Sequence, residues 1–427
     1  MKCLSILLFV LVLTLAGCGH QAMRRKVENL KTASKLSGST VIMMNSRKII
    51  FGFPISLMML AILSCARKSH DAGSAGIVVK VDVSSAGMFD IDVDASLEKL
   101  VPLETTGSSL IGSLDKVLFA DDRIVVLDKK NKRILLFSGT GAFLRPIGRQ
   151  GNGPGEYVEV SDLCYDKSRK ILCAFDRLKQ KMILYPLDGE DINTIQARFT
   201  CNSFLPVQDG WWFYYSYKNN PDRWSLLHVD PEMKRAVEGF FPYKDFLPAT
   251  MKPCFASGGG RDLFFYNYSN YIYELADGKP KPYIEVDFGD RSLSYDRILK
   301  AATPQEFSAV MTESKGLGDI QNVHSSERYL YLEFSEVGFN TFSFSYFGII
   351  DTKEPGITIF NSFNNSEILR DYTLTGVTEE DELVYALYPS RYGDNYPEKI
   401  KAASPGISYD DNPILAYFKL KSHGHHY

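Results

Sequence analysis

From Gly76 onward the chain alternates short apolar runs of about four to seven residues with clusters of Gly, Asp, Asn, Lys and Pro. That spacing predicts short strands joined by tight turns, and helical periodicity is scarce. The clearest unit covers 111–157. Its apolar runs at 114–119, 124–128, 134–137 and 143–147 are broken at Asp121-Asp122-Arg123, Asn131-Lys132-Arg133 and Gly139-Thr140-Gly141. Four strands with tight turns make one propeller blade. The next unit repeats the grammar at 162–166, 171–176 and 182–185, an interval matching the ~40–50 residues of a blade. Further units follow over 204–241, 254–288, 320–360 and 372–420. The pattern therefore predicts an all-β fold, a six-bladed β-propeller. Residues 290–317 break the pattern, and the runs at 295–300 and 304–307 predict a short helical insertion on one face of the disc. A ring of blades must close, since an open one leaves an unpaired edge. The stretch 91–103 is the candidate closing strand, set against the last blade.

Ahead of the repeats the chain carries targeting grammar twice. Lys2, an apolar run over 4–15 and Leu15-Ala16-Gly17-Cys18 resemble a bacterial lipoprotein signal, in which the Cys is acylated and becomes the mature N-terminus. Arg47-Lys48, an apolar run over 49–63 and Ile62-Leu63-Ser64-Cys65 repeat it. Cleavage before Cys18 would leave the second apolar run as a sticky stretch. Cys65 is therefore the expected lipidation site, with Cys18 as the alternative and translation starting at Met43 or Met44. Pro54 and the length of the second run argue against a spanning helix. The expected organisation is a targeting region over 1–64, a linker over 65–80, the propeller over 81–421 and a tail over 422–427. No Asp directly follows Cys65, which points to the outer membrane, facing either the periplasm or the surface.

Of the 427 residues, 45% are hydrophobic and 23% charged, enough apolar side chain for one large fold. The 13% aromatic content suits half-buried strands and also ligand-binding surfaces. A net charge of −3, with no long basic stripe beyond the N-terminal segment, argues against nucleic acid as a partner.

Ile147-Gly148-Arg149-Gln150-Gly151-Asn152-Gly153-Pro154-Gly155-Glu156-Tyr157 resembles the signature of the 6-bladed β-propeller lipoproteins of Bacteroidota, a family related to NHL-repeat propellers. Leu100-Val101-Pro102-Leu103-Glu104-Thr105 and Asn412-Pro413-Ile414-Leu415 add to the match. The resemblance covers roughly residues 80 to 420 and is strongest at its start, because later blades lack a second Gly-rich copy. It implies a fold and an envelope location rather than an activity.

The Gly-rich stretch lacks the Gly-Lys-Ser/Thr ending of a phosphate loop and joins two strands, so it reads as a blade-to-blade turn built on positive-φ glycines. Arg149 and Glu156 flank it as candidate ligand contacts. Trp211 and Trp212 open an aromatic run, packed between blades or presented as a stacking platform for carbohydrate or peptide. Cys164 and Cys173 flank a short turn, which sets them opposite one another as a candidate disulfide or as two buried small apolar residues. Asp121, Asp122, Asp162, Asp166 and Asp176 recur at strand ends, where Asp caps turns. His228, His324 and the tail residues His423, His425 and His426 lack zinc-site spacing inside a blade, so no metal and no cofactor is expected. The chain reads as a binding or scaffold module for a glycan, peptide or protein partner, attached to the membrane through its lipid anchor. The rival reading is a propeller lyase or hydrolase, which a cluster of His with Asp, Glu or Arg at the central channel would favour.

Overall fold

The structure is a computed structural model, which describes residues 75–189, 191–214, 224–242, 254–266, 269–313, 316–337, 345–364, 366–370, 373–393 and 395–421. Cys18, Cys65 and the histidine tail lie outside the described residues.

Three N-terminal strands come first: β1 (Ile77–Lys80), β2 (Gly87–Phe89) and β3 (Ala95–Pro102). Blade 1 is β4 (Lys116–Ala120), β5 (Arg123–Asp128), β6 (Arg133–Ser138) and β7 (Phe143–Pro146). Blade 2 is β8 (Val160–Asp166), β9 (Ile171–Asp176), β10 (Lys181–Pro186) and β11 (Asn193–Gln196). Blade 3 is β12 (Ser203–Val207), β13 (Gly210–Tyr214), β14 (Trp224–Val229) and β15 (Ala236–Pro242). Blade 4 holds β16 (Phe255–Gly258), β17 (Arg261–Phe265), β18 (Tyr271–Ala276) and β19 (Lys279–Asp287). Blade 5 holds β20 (Gly316–Ser325), β21 (Tyr329–Val337), β22 (Ser345–Asp351) and β23 (Gly356–Phe363). Blade 6 supplies only β24 (Leu374–Val377), β25 (Glu382–Leu387) and β26 (Ile414–Leu420), and β3 completes it as the outer strand. The inner strands β4, β8, β12, β16, β20 and β24 touch in sequence and back to β4, so the ring of six blades is closed.

The second strand of a blade, as in β5, β9, β13 and β25, buries both faces, which explains runs that are apolar throughout rather than alternating. In β5, Ile124 and Val126 join a core shared with blade 6, while Val125 and Leu127 join the core shared with blade 2. The same division recurs between every neighbouring pair, giving six inter-blade cores. At roughly 1.5–3 kcal/mol for each fully buried large apolar side chain, these wedges dominate the stabilisation of the ring.

The closing strand begins later than the sequence suggests. Ile91-Asp92-Val93-Asp94 alternates like a strand but forms a single helical turn, α1 (Ile91–Asp94), because the Asp90 carboxylate caps it. Asp90 Oδ1 accepts from the N–H groups of Asp92 and Val93, at 3.1 and 3.3 Å. Within the stretch 65–80, expected as a linker, residues 77–80 form β1. That strand pairs in parallel with the outer strand of blade 4, Ile77 opposite Ile284, and β2 pairs in parallel with β23 of blade 5. One N-terminal segment thus adds a strand in turn to blades 4, 5 and 6.

Closure is fastened by one buried side chain. Asn412 Oδ1 accepts from Ile111 N at 2.7 Å, its Nδ2 donates to the carbonyls of Glu104 and Ser109, and its own N–H donates to Thr105 Oγ1. The residues that carried the family resemblance, 100–105 and 412–415, therefore meet at the seam. Gly141 (φ 88°) lets the first blade approach it, because a Cβ there would lie 2.0 Å from the Pro102 carbonyl oxygen.

Strand direction divides the disc into two unlike faces. One face carries tight turns such as 121–122, 259–260 and 277–278. The other, the loop face, carries blade-to-blade connections such as 147–159 and the helical insertion with α2 (Tyr295–Lys300) and α3 (Pro304–Glu313), together with the 388–413 excursion inside blade 6, which holds α4 (Glu398–Ala403).

Candidate functional site

The Gly-rich segment is a loop-face connection whose backbone is engaged with its own glutamate. Gly153 N donates to Glu156 Oε2 at 2.7 Å, and Arg149 Nε donates to Oε1. The Gly153 amide and the Arg149 guanidinium hold the Glu156 carboxyl below its ordinary range. A Cβ at Gly151 would lie 2.0 Å from that carboxylate, so a side chain there would push Glu156 out of the wrap. The space a bound phosphate would take is filled by Glu156, and this decides against a phosphate cradle. The loop is fixed from below: Tyr185 donates to the Gly155 carbonyl at 2.7 Å, and the buried Tyr157 hydroxyl accepts from Ile134 N at 3.2 Å. Burial pushes the Tyr157 phenol up to about 12. Arg149 remains largely exposed on the loop face, while Glu156 is spent on the loop itself.

Beside this loop, between blades 1 and 2, lies a cleft of about 280 Å³. Its lining includes Lys129, Lys132 and Arg133 from the β5–β6 turn, Arg177 from the β9–β10 turn, and Glu159. Glu159 pairs with Arg177. Beneath it, the fully buried Asp128 organises the turn. Burial raises its carboxyl pKa, yet the amides of Gly112, Asn131 and Ser113 outweigh that and hold it below the ordinary value. Asp176 fills the matching position in blade 2, accepting from Val158, Leu178 and Lys179. Two of the aspartates expected as turn caps, Asp166 and Asp176, cap turns.

Asp162 does something else. Lys116, at the start of inner strand β4, donates to Asp162 Oδ1 at 2.7 Å, and Asp162 Oδ2 accepts from Phe204 N at 3.3 Å, so this carboxylate stitches the inner strands of blades 1, 2 and 3. Across the ring, His324 sits on β20 just past its second register shift, opposite Tyr331. Burial, helped by the Lys116 charge, lowers it to about 4, which keeps it neutral at pH 7.

The other sequence candidates are core. Trp211 and Trp212 are 1% and 2% exposed. Trp211 packs on Phe204 and donates to the Pro231 carbonyl at 3.1 Å; Trp212 stacks on His228 with centroids 4.8 Å apart. Of the two roles open to them from sequence, packing between blades and a stacking platform, the structure has packing, on both sides of β13. Cys164 and Cys173 are register partners, and both are free thiols rather than the disulfide considered above. Burial pushes the Cys164 thiol up to about 12 and Cys173 well above its ordinary value. Sequence reading missed the cleft, although the Lys129-Lys130-Asn131-Lys132-Arg133 run was its visible signal.

A family model for a domain of unknown function, DUF4934, matches residues 95–419, from the closing strand to the last strand of blade 6. The chain belongs to the DUF4934 family. Its matched span contains the seam at both ends, so the family domain is the closed ring. The DUF4934 fold resembles the crystal structure of a protein from Bacteroides fragilis whose name assigns it to export, with 18% identity, a TM-score of 0.65 and coverage of 81% of this chain and 99% of that one. It also resembles a DUF4221 family member from Bacteroides vulgatus, with 10% identity, a TM-score of 0.50 and coverage of 77% and 98%. No curated protein matches the sequence.

Proposed function

We propose that this DUF4934 protein is an exported envelope lipoprotein, acylated at Cys65 with Cys18 as the alternative, whose loop face binds a glycan, peptide or protein partner. Its place is the outer membrane. The doubled lipoprotein grammar supports the anchor, and the name of the Bacteroides fragilis homologue agrees with export. The observation that carries the binding role is the cleft between blades 1 and 2, a concave site on the loop-bearing face lined by groups from two separate turns. The enzyme reading needs an available acid and base at the channel. There Lys116 and Asp162 are engaged with each other, and His324, lowered to about 4 by burial, is a weak base and holds no proton to donate at pH 7.

The test places a photo-crosslinking residue at Arg149 on the loop face and, separately, at Asp122 on the opposite face, in cells expressing the protein. Adducts from position 149 and none from 122 are expected. The reverse pattern overturns the assignment of the binding face, and absence of metabolic palmitate labelling on both Cys65 and Cys18 overturns the anchor.

A further inference from the structure

The cleft between blades 1 and 2 has a charge imbalance that the fold does not use. Lys129, Lys132, Arg133 and Arg177 line it against Glu159 alone, on a chain whose net charge is −3. Glu159 is already paired with Arg177. Among the described residues, no carboxylate pairs with the Lys129 or Lys132 ammonium groups. The Arg133 guanidinium lies 3.7 Å from the buried Asp128 carboxylate and donates to the carbonyls of Ser108 and Leu110, while its Nε is buried with no acceptor. Lys132 also holds a φ of 53°, a left-handed conformation in which Gly or Asn would be unstrained. Backbone preference therefore does not explain a lysine there. Ser161 and Asn202 complete the polar side of the lining, and the volume stands near the small end of ligand cavities, roughly 300–1,000 Å³.

We propose that this cleft binds a carboxylate-bearing ligand through Lys129, Lys132 and Arg133, with a site the size of one sugar-acid unit. The inference rests on the binding role proposed above and specifies its ligand class. A carboxylate entering there supplies the anion that Lys129 and Lys132 lack, and fixed cations lining a concavity draw such a ligand in. The same chemistry is offered by a uronic acid in a glycan and by an acidic side chain in a peptide.

The test is calorimetric titration of the full-length protein in detergent with three probes: a trimer of galacturonic acid, the neutral galactose trimer and tri-glutamate. The comparison variant is Lys129→Gln with Lys132→Asn, which removes both charges while Asn keeps the left-handed turn relaxed. The galacturonate trimer is expected to bind, the galactose trimer not, and affinity to fall about tenfold in the variant and further with added salt, as exposed charge pairing does. Binding of tri-glutamate in place of galacturonate, with the same loss in the variant, keeps the carboxylate assignment and makes its source a peptide. Binding of neither acid, or an affinity unchanged in the variant, overturns it. If loop-face crosslinks at Arg149 persist in that case, the binding role stands and only the ligand class falls.

Discussion

Blades 1, 2 and 3 end on β7, β11 and β15, each the last strand of a four-stranded sheet, whereas blades 4 and 5 each carry a fifth strand taken from the N-terminal segment and blade 6 is completed by β3. The two halves solve the edge problem differently. In the first, connections fold back on themselves: the Gly-rich loop wraps Glu156, and Asp128 and Asp176 gather the amides of their own blade ends. In the second, strands of weaker sequence pattern borrow order from a distant piece of chain, and that piece buries Val79, Phe89 and Ile91 almost completely. The added strand moves the open edge outward onto only four or three residues, which leaves little for another chain to pair with. The lesson is that regular repeats can stand with local turn chemistry, while degenerate ones gain from an added strand.

The strongest way to break this contrast is to remove the belt's anchor. Phe89 is fully buried and packs edge-on against Phe347, Phe360 and Phe363. Phe89→Ala is expected to cost about 3–5 kcal/mol in urea unfolding. Amide exchange should accelerate in β23 but not in β11, and equal acceleration in both would show that the halves are not distinct. Next comes the seam. Asn412→Ala orphans several buried partners and should cost about 1–3 kcal/mol in the same assay, since each unsatisfied group loses its desolvation compensation.

A smaller effect separates the halves by pH. His324, in belted blade 5, titrates near 4 when folded against an ordinary 6.5, so the unfolded chain takes up its proton first on acidification. Its contribution is complete above about pH 6.5 and is lost as pH falls towards 4. Thermal melts of His324→Gln should therefore lose less stability between pH 7 and pH 5 than those of the parent, and parallel curves would refute the assignment. Smallest of all, Val78 lies on the outward side of β1 at 51% exposure, and Val78→Thr should shift unfolding by less than about 0.5 kcal/mol. A larger loss would mean that this outer face is covered.

Much of this was legible from hydrophobic pattern. Runs such as 124–128 and 171–176 are long, apolar and bounded by turn residues, so the blades and the helical insertion could be placed from sequence. β1 and β2 could not, because four and three residues carry too little periodicity and their partners lie far along the chain. At Ile91 an alternating pattern lost to a capping aspartate. For the candidate site, the sequence located the Gly-rich loop and its Arg149 and Glu156, but periodicity does not reveal that two turns from neighbouring blades converge. The Trp211-Trp212 pair shows the limit from the other side, since a strand buried on both faces leaves no position free for a platform.

The belt also sets an order of events. β1 leaves the ribosome before any blade, yet Ile77 must wait for Ile284, and Phe89 for Phe363. Pairings so distant in sequence are slow to form. During synthesis the stretch 77–89 is consequently an adhesive segment that only late folding can mask.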